Sequence, residues 1–273
     1  MTYTFPKDFS DPVLALCALG EDPARQLEWM DYPAELGLTE EHIPELIRIV
    51  EDIEVFMPYD EDVDDDAPEF FSPIHAWRAL GQLKAEEAVP TLIELLISND
   101  DLDIDWVMDE IPTVMALIGS VFIPALDEYL SREDVSEMVV SGVSDALAEI
   151  GKTYPERRMD CIKALEAGLK KYRTNLRYVN ATLIYFLTEL HSTESDALIK
   201  QAYDADKVDL TLLGDYEDYQ IDVGLIEKRR TPQRDYMAEE FEGVDKLREA
   251  IKATIKTNEL FNLVDPDILK GNF

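Results

Sequence analysis

The sequence has few cysteines, few histidines and few basic residues. Its two cysteines are Cys17 and Cys161, and two thiols make no disulfide framework, so we expect a reducing compartment. Lys and Arg total 25 against 59 Asp and Glu, which gives a net charge of −34. Because nucleic acids and anionic membranes attract Lys and Arg, this balance argues against both as partners.

Long hydrophobic runs are also absent. The longest uncharged stretch, residues 111–126, has 16 residues and is interrupted by Pro112, Gly119 and Pro124. It is short for a membrane span, and two core helices meeting at Gly119 explain it better. Residues 1–9 lack the basic start and apolar core of a signal peptide. We therefore expect a cytoplasmic protein.

No nucleophilic catalytic group stands out. The bases around Cys161, namely Arg157, Arg158 and Lys163, would lower the pKa of a thiol. A catalytic cysteine also needs a histidine partner, and the sequence identifies none for Cys161. We therefore predict no catalytic residue and no enzyme activity.

The acidic charge is concentrated in the first half of the chain. Residues 1–150 hold 36 acids and 6 bases, whereas residues 151–273 hold 23 acids and 19 bases. Residues 51–70 contain ten acids and no base, which predicts an exposed acidic loop. Such a field steers basic protein partners, although solubility alone also explains it.

A short segment marked by proline recurs three times. Each copy is a β-branched residue, a proline and an apolar ridge with helical spacing, at residues 43–47, 89–93 and 123–126. This recurrence is typical of stacked helical hairpins. We predict an all-α fold, with a right-handed α-solenoid over residues 1–206, and with a capping segment, a linker and a C-terminal amphipathic helix over residues 207–273.

The second of these segments, together with residues 79–81 before it, resembles a known repeat. Residues 79–81, Ala-Leu-Gly, and residues 88–96, Ala-Val-Pro-Thr-Leu-Ile-Glu-Leu-Leu, resemble the HEAT-like repeat of the phycobilisome-lyase type. The order of N-terminal helices, acidic insertion, hairpins and residues 214–225 is also similar to a bacterial family of uncharacterised HEAT-like proteins. The resemblance implies the fold and leaves the activity open.

Some HEAT-like families are enzymes, among them iron hydroxylases and bilin lyases. The iron hydroxylases need paired His-Glu dipeptides, but none of His42, His75 and His191 is followed by glutamate. The bilin lyases need a roomy apolar groove with a carboxylate, which the sequence does not test. A bilin-lyase-like or other small-molecule-binding role therefore stays open as an alternative.

An acidic segment at residues 99–110 is the first candidate site. Its oxygens fall at the ligand positions of a calcium loop, but Ile104 stands where the sharp turn requires glycine. We therefore predict no metal site. We expect the acids of this segment to contribute to an acidic binding surface; they are Asp101, Asp103, Asp105, Asp109 and Glu110.

The second candidate site lies in the second half of the chain, at Tyr216, Glu217, Asp218 and Tyr219. Aromatic rings among carboxylates suit the recognition of Arg or Lys through cation–π and ionic contacts. The same residues could instead cap the last hydrophobic layer of a solenoid. Both interpretations stay open.

These patterns together predict a non-enzymatic interaction scaffold whose acidic face binds a basic protein segment, without a cofactor. A further alternative is a nucleic-acid mimic, in which carboxylates imitate phosphates. An apolar stripe on the predicted C-terminal helix would dock on its own chain or on a second copy, so the oligomeric state stays open; it consists of Val244, Leu247, Ile251 and Ile255.

Overall fold

The computed structural model describes residues 5–26, 28–58, 67–102, 104–133 and 135–239. The described residues form helices and no strand, which confirms the all-α prediction. The chain divides into two units, Met1–Val208 and Asp209–Phe273. The predicted C-terminal helix at residues 244–255 lies outside the described residues.

Thirteen α-helices whose two ends are described lie in the first unit, and two lie in the second. In chain order they are α1 (Asp11–Cys17), α2 (Glu21–Ala24), α3 (Tyr32–Leu36), α4 (Ile43–Glu51), α5 (Ile53–Phe56), α6 (Ser72–Gln82), α7 (Val89–Leu102), α8 (Asp105–Ile118), α9 (Ile123–Ser131), α10 (Glu137–Thr153), α11 (Arg158–Leu169), α12 (Arg177–Glu189), α13 (Asp196–Asp204), α14 (Leu210–Leu213) and α15 (Tyr216–Asp222).

The recurring prolines mark helix starts, as the sequence predicts. Pro44, Pro90 and Pro124 are the second residues of α4, α7 and α9, and each helix follows a 3₁₀ turn directly. A proline is tolerated there because the first backbone N–H groups of a helix have no intrahelical acceptor. The three repeated segments therefore begin three equivalent elements.

The predicted break at Gly119 is also confirmed. Gly119 has a φ of 144°, which favours glycine, and it ends α8. The axes of α8 and of the helical segment Ser120–Ser131 are bent by 107°. Across the described ranges, no single helix is long and apolar enough to cross a membrane; only this bent pair, counted together, has the length and composition.

The longer helices of the first unit pack side by side. α4 contacts α6, α6 contacts α8, α8 contacts α10 and α10 contacts α12, while α9 packs against α11. The core between them is apolar, with Trp77, Leu80 and Leu147 fully buried. Burial of this kind is the main source of the fold's stability.

The structure corrects both ends of the predicted acidic loop, and at its second end Pro68–Phe71 forms a 3₁₀ turn. Ile53–Phe56 forms a helical turn, and both Ile53 and Phe56 are buried. These apolar residues gain more by packing than the flanking acids lose by being held near the surface. Residues 59–66, which hold most of the acids of that loop, lie outside the described residues.

Candidate functional site

Two adjoining cavities open on the first unit, where the ends of four helices come together. The smaller cavity has a volume of about 340 Å³ and is lined by α7, α8, α10 and α12 residues. The larger one, of about 580 Å³, is lined mainly by residues 133–138 and 171–179. Met138 lines both cavities. We call the two cavities together the α8–α10–α12 groove.

Carboxylates from several elements line this groove. Asp105 begins α8 and lines the smaller cavity, where it is exposed. Asp100, Glu133 and Glu137 line the larger one. The described lining residues of the larger cavity include one base, Lys171. The groove therefore offers a negative surface.

Lys171 is partly withdrawn from solvent. Its Nζ donates to the backbone carbonyl of Arg132. Burial lowers the pKa of Lys171, and nearby Glu133 opposes that shift. The lysine is thus held by the protein and does not project as a free positive charge.

Apolar side chains are exposed beside these carboxylates. Met138 is 42% exposed, Tyr178 is 42% exposed and Leu176 is 58% exposed. All three line the groove, together with Met108 and Val179. Aromatic residues and methionine are enriched at the centre of protein interfaces, and polar residues form the rim.

The predicted acidic segment, residues 99–110, is not a loop. α7 continues to Leu102, α8 begins at Asp105, and Asn99 Oδ1 accepts a hydrogen bond from the backbone N of Ile104 at 3.2 Å. The asparagine oxygen therefore joins the two helices. Among the described residues, no three His, Cys, Asp or Glu side chains are grouped as a metal ion requires.

The predicted acids of this segment do not share one surface. Asp105 and Asp109 are exposed one turn apart on α8. Asp103 and the side chain of Asp101 lie outside the described residues. Glu110 is 8% exposed and forms an ion pair with Arg78 of α6. The expectation that Glu110 contributes to an exposed acidic surface is therefore wrong.

Glu110 instead organises the interior between α6 and α8. Its Oε2 accepts from Trp77 Nε1 and from Arg78 Nε, each at 2.8 Å. The Arg78 guanidinium also donates to the carbonyls of Pro23 and Ala24, and it lies 5.0 Å from the ring centroid of Trp29. The pair therefore ties the N-terminal segment to the helices.

His75 joins the same N-terminal segment to α6. Its Nδ1 lies 2.7 Å from the Tyr32 hydroxyl, and its Nε2 lies 2.9 Å from the Gly20 carbonyl. A neutral ring that donates from Nε2 and accepts at Nδ1 satisfies both partners. Burial lowers the pKa of His75 to about 4, so the ring is neutral at physiological pH.

A second acidic group lies on α10 and α12. Lys152 Nζ bridges Glu149 and Glu189 at 3.1 and 3.0 Å. Asp145, half-buried beside them, has its pKa raised to about 6 by burial and by the charges of Glu149 and Glu189. Sequence patterns did not identify Asp145, because its pKa depends on the proximity of two helices.

Neither thiol adds to a site. Cys17 and Cys161 are both buried. Burial and the nearby charge of Asp160 raise the pKa of Cys161 to about 11, although Arg157 opposes the shift. The basic neighbours therefore do not produce a thiolate at neutral pH.

In the second unit, the candidate carboxylates hold an arginine of their own chain. Arg229 pairs with Asp215 and Asp218 across the start of α15, and its side chain is 12% exposed. Burial alone would raise the pKa of Asp215, but hydrogen bonds from Arg229 and from the Tyr236 hydroxyl lower it below its ordinary value. The cluster therefore binds a guanidinium.

Glu217 holds the backbone of the same segment. Its Oε2 accepts from the N–H groups of Arg230 and Thr231 and from the Thr231 hydroxyl, each at 3.0 Å. These hydrogen bonds lower the pKa of Glu217. The composition of residues 228–232 predicts a linker. That prediction did not identify these residues as the partner of the carboxylates at the start of α15.

The two candidate tyrosines stack on each other. Tyr219 is 2% exposed, and its ring stacks on Tyr216 with 5.8 Å between the centroids. Both interpretations of this cluster, the capping of a hydrophobic layer and the recognition of Arg or Lys, stay predictions.

One family model matches most of the chain. It describes a protein of unknown function, DUF1186, and it matches residues 33–241. Comparisons with curated proteins and with solved structures gave no match. The matched range includes α4 to α15, and therefore both the groove and the Arg229 cluster. The chain belongs to the DUF1186 family.

Proposed function

We propose that this protein is a non-enzymatic binding protein whose α8–α10–α12 groove takes a basic, amphipathic protein segment. One observation carries the proposal: exposed Met138 and Tyr178 lie in a groove that Asp100, Asp105 and Glu137 also line. Apolar anchors in such a setting supply affinity, and the carboxylates select a positively charged partner.

The charge of the whole chain supports the same partner. The net charge of −34 favours fast encounter with a basic protein and opposes encounter with a nucleic acid. Exposed Asp109, one turn after Asp105 on α8, adds a further negative charge to the same helix.

We also propose that the first unit is a right-handed α-solenoid of HEAT-like hairpins. The side-by-side order of α6, α8, α10 and α12, with α9 against α11, supports this arrangement. In a solenoid each repeat contacts its neighbours, and one row of helices offers an extended binding face. The groove lies where α8, α10 and α12 of that row begin.

The proposal is tested by the fluorescence anisotropy of a labelled amphipathic peptide of lysine and leucine. A counterpart of glutamate and leucine is the control for charge. We expect the lysine peptide to bind, and its affinity to fall by about tenfold as the salt concentration rises past the point where surface charges are screened. Equal affinity for both peptides, or no dependence on salt, would contradict the proposal.

Matched variants locate the binding site. Met138→Ala removes a groove side chain, whereas Met159→Ala removes a methionine of similar exposure, 40%, on α11. We expect the first variant to weaken binding by about tenfold and the second to leave it unchanged. Asp105→Asn is expected to slow association more than Asp127→Asn, which changes an exposed acid on α9.

A further inference from the structure

Residues 229–231 close on the start of α15, and we call this contact the Arg229 clamp. Its ionic part is Arg229 between Asp215 and Asp218. Its second part is Glu217, which accepts three hydrogen bonds from Arg230 and Thr231. A change at Thr231 therefore acts directly on the carboxylate that holds the segment.

The Thr231 hydroxyl has neighbours of both charges. It donates to Glu217 Oε2 at 3.0 Å, and the Thr231 oxygen itself accepts from an Arg229 guanidinium nitrogen at 3.2 Å. The residue is exposed, and it follows Lys228, Arg229 and Arg230 in the sequence. Protein kinases discriminate among substrates by charge patterns of this kind around the target hydroxyl.

We propose that Thr231 is a phosphorylation site and that its modification opens the Arg229 clamp. The Thr231 oxygen attacks the γ-phosphorus of a nucleoside triphosphate supplied with a protein kinase. An oxygen–phosphorus bond forms, the bond from that phosphorus to the bridging oxygen breaks, and the nucleoside diphosphate leaves with the electron pair. The hydroxyl proton passes to a base of the kinase.

The product cannot keep the contact that the hydroxyl makes. A phosphate carries nearly two negative charges at neutral pH, and Glu217 Oε2 lies at hydrogen-bonding distance from the Thr231 oxygen. Loss of the hydroxyl proton removes the donor, and repulsion from Glu217, Asp215 and Asp218 follows. Arg229 already lies near the Thr231 oxygen. The phosphate on Thr231 therefore competes with Asp215 and Asp218 for the Arg229 guanidinium, which leaves these carboxylates.

The opened clamp frees Asp215, Glu217 and Asp218 to receive a basic group from another molecule. The sequence pattern around Tyr216 suits such a partner, and in the closed state Arg229 holds two of these carboxylates. Phosphorylation at Thr231 thus replaces Arg229 at these carboxylates by a basic group of another molecule. This inference is independent of the groove and of its proposed function.

The test uses the full chain, a purified serine/threonine kinase that prefers basic substrates, and ATP. Mass spectrometry locates the phosphate, and hydrogen–deuterium exchange reports the amides of Arg230 and Thr231. We expect one phosphate at Thr231, none in Thr231→Val, and none at Thr211, whose hydroxyl donates to Asp209 at 2.7 Å. The two amides should then exchange at least about tenfold faster.

Two results would overturn the proposal. The first is no phosphate at Thr231 in either the wild-type chain or Glu217→Ala, which removes the carboxylate that holds the segment. The second is a fully phosphorylated Thr231 with unchanged protection of the amides of Arg230 and Thr231. Faster modification of Glu217→Ala than of the wild type would support it, because the kinase needs the segment released.

Discussion

Arg78 and Glu110 form an ion pair in the interior between α6 and α8. The Arg78 side chain is 1% exposed and that of Glu110 is 10% exposed. Two charges are removed from water together, and Trp77 and two backbone carbonyls complete their hydrogen bonds. Such a pair is costly to break, because either partner alone would remain as an unpaired buried charge.

We predict that Arg78→Met and Glu110→Leu each destabilise the protein by about 3–5 kcal/mol. The double variant should lose much less than the sum of the two, since no buried charge is left. Urea unfolding at neutral pH measures each free energy. Additive losses in the double variant would show that the pair is not coupled.

The matched control is an exposed pair. Arg157 Nε lies 2.8 Å from Asp160 Oδ2, and both side chains are more than 40% exposed. Arg157→Ala should cost less than about 1 kcal/mol, because water screens the interaction. A comparable loss for Arg157→Ala and Arg78→Met would mean that burial does not make the Arg78–Glu110 pair costlier to break than an exposed one.

The pKa of His75 predicts acid sensitivity. The folded state keeps the ring neutral down to about pH 4, whereas the unfolded chain binds the proton near pH 6.5. Because the unfolded state binds more protons between these values, stability should fall as the pH falls from 6.5 to 4, by up to about 3 kcal/mol. Urea unfolding across this range should give a smaller loss in His75→Asn.

Asp145 predicts the opposite dependence on pH. Its pKa is about 6 in the folded state and near 3.9 in the unfolded chain, so the folded state binds more protons between these values. Its contribution to stability is therefore lost as the pH rises through this window, and above pH 6 the buried charge is a constant penalty.

Asp145→Asn should accordingly stabilise the protein at pH 7 by roughly 1–3 kcal/mol and much less at pH 4. The control is Asp127→Asn, an exposed acid, which should change the unfolding free energy at pH 7 by less than about 0.5 kcal/mol. If Asp145→Asn does not raise the free energy of unfolding at pH 7, the charged Asp145 carboxylate does not destabilise the folded state, which would contradict this account.

Two glycines with a similar positive φ test the Arg229 clamp. Gly214 has a φ of 75° and Gly224 a φ of 77°; a Cβ at Gly214 would lie 2.8 Å from Asp218 Cγ, whereas a Cβ at Gly224 meets nothing within 4 Å. Gly214→Ala should displace the Asp218 carboxylate in addition to the strain that a positive φ imposes on an alanine at either position.

We therefore expect Gly214→Ala, and not Gly224→Ala, to speed exchange of the amides of Arg230 and Thr231 by at least about tenfold. Hydrogen–deuterium exchange measures both variants directly. Equal protection in the two variants would mean that Asp218 does not hold the clamp.

Much of the fold could be predicted because its signals are local. Pro44, Pro90 and Pro124 fix helix starts through backbone chemistry, and Gly119 fixes a bend through its φ of 144°. The spacing of apolar residues gives the buried face of each helix. None of these signals depends on which distant residue packs against it.

The position of Glu110 on α8 distinguishes it from the other acids of its segment. On α8 it lies three residues after Val107, next to Ile111 and four residues before Val114, all of them buried. That spacing places it on the apolar stripe of the helix and not with Asp105 and Asp109. A carboxylate on an apolar stripe predicts a buried partner, which the structure identifies as Arg78.

The groove and the Arg229 clamp could not be derived in the same way. The groove joins Asp105, Met138 and Tyr178 from three helices, and the clamp joins Asp215 to Arg229 across an irregular segment. Contacts of this kind depend on how helices and turns are placed in space. Sequence patterns identified the residue types, but not their partners.

Photo-cross-linking from the groove tests the central claim most directly. Tyr178→p-benzoylphenylalanine places the reactive group in the groove, and Met159→p-benzoylphenylalanine places it on α11 at a position of similar exposure, 42% against 40%. We predict that the lysine–leucine peptide cross-links from position 178 and not from position 159. Equal yields from both positions, or binding without a cross-link from position 178, would contradict a binding site in the groove.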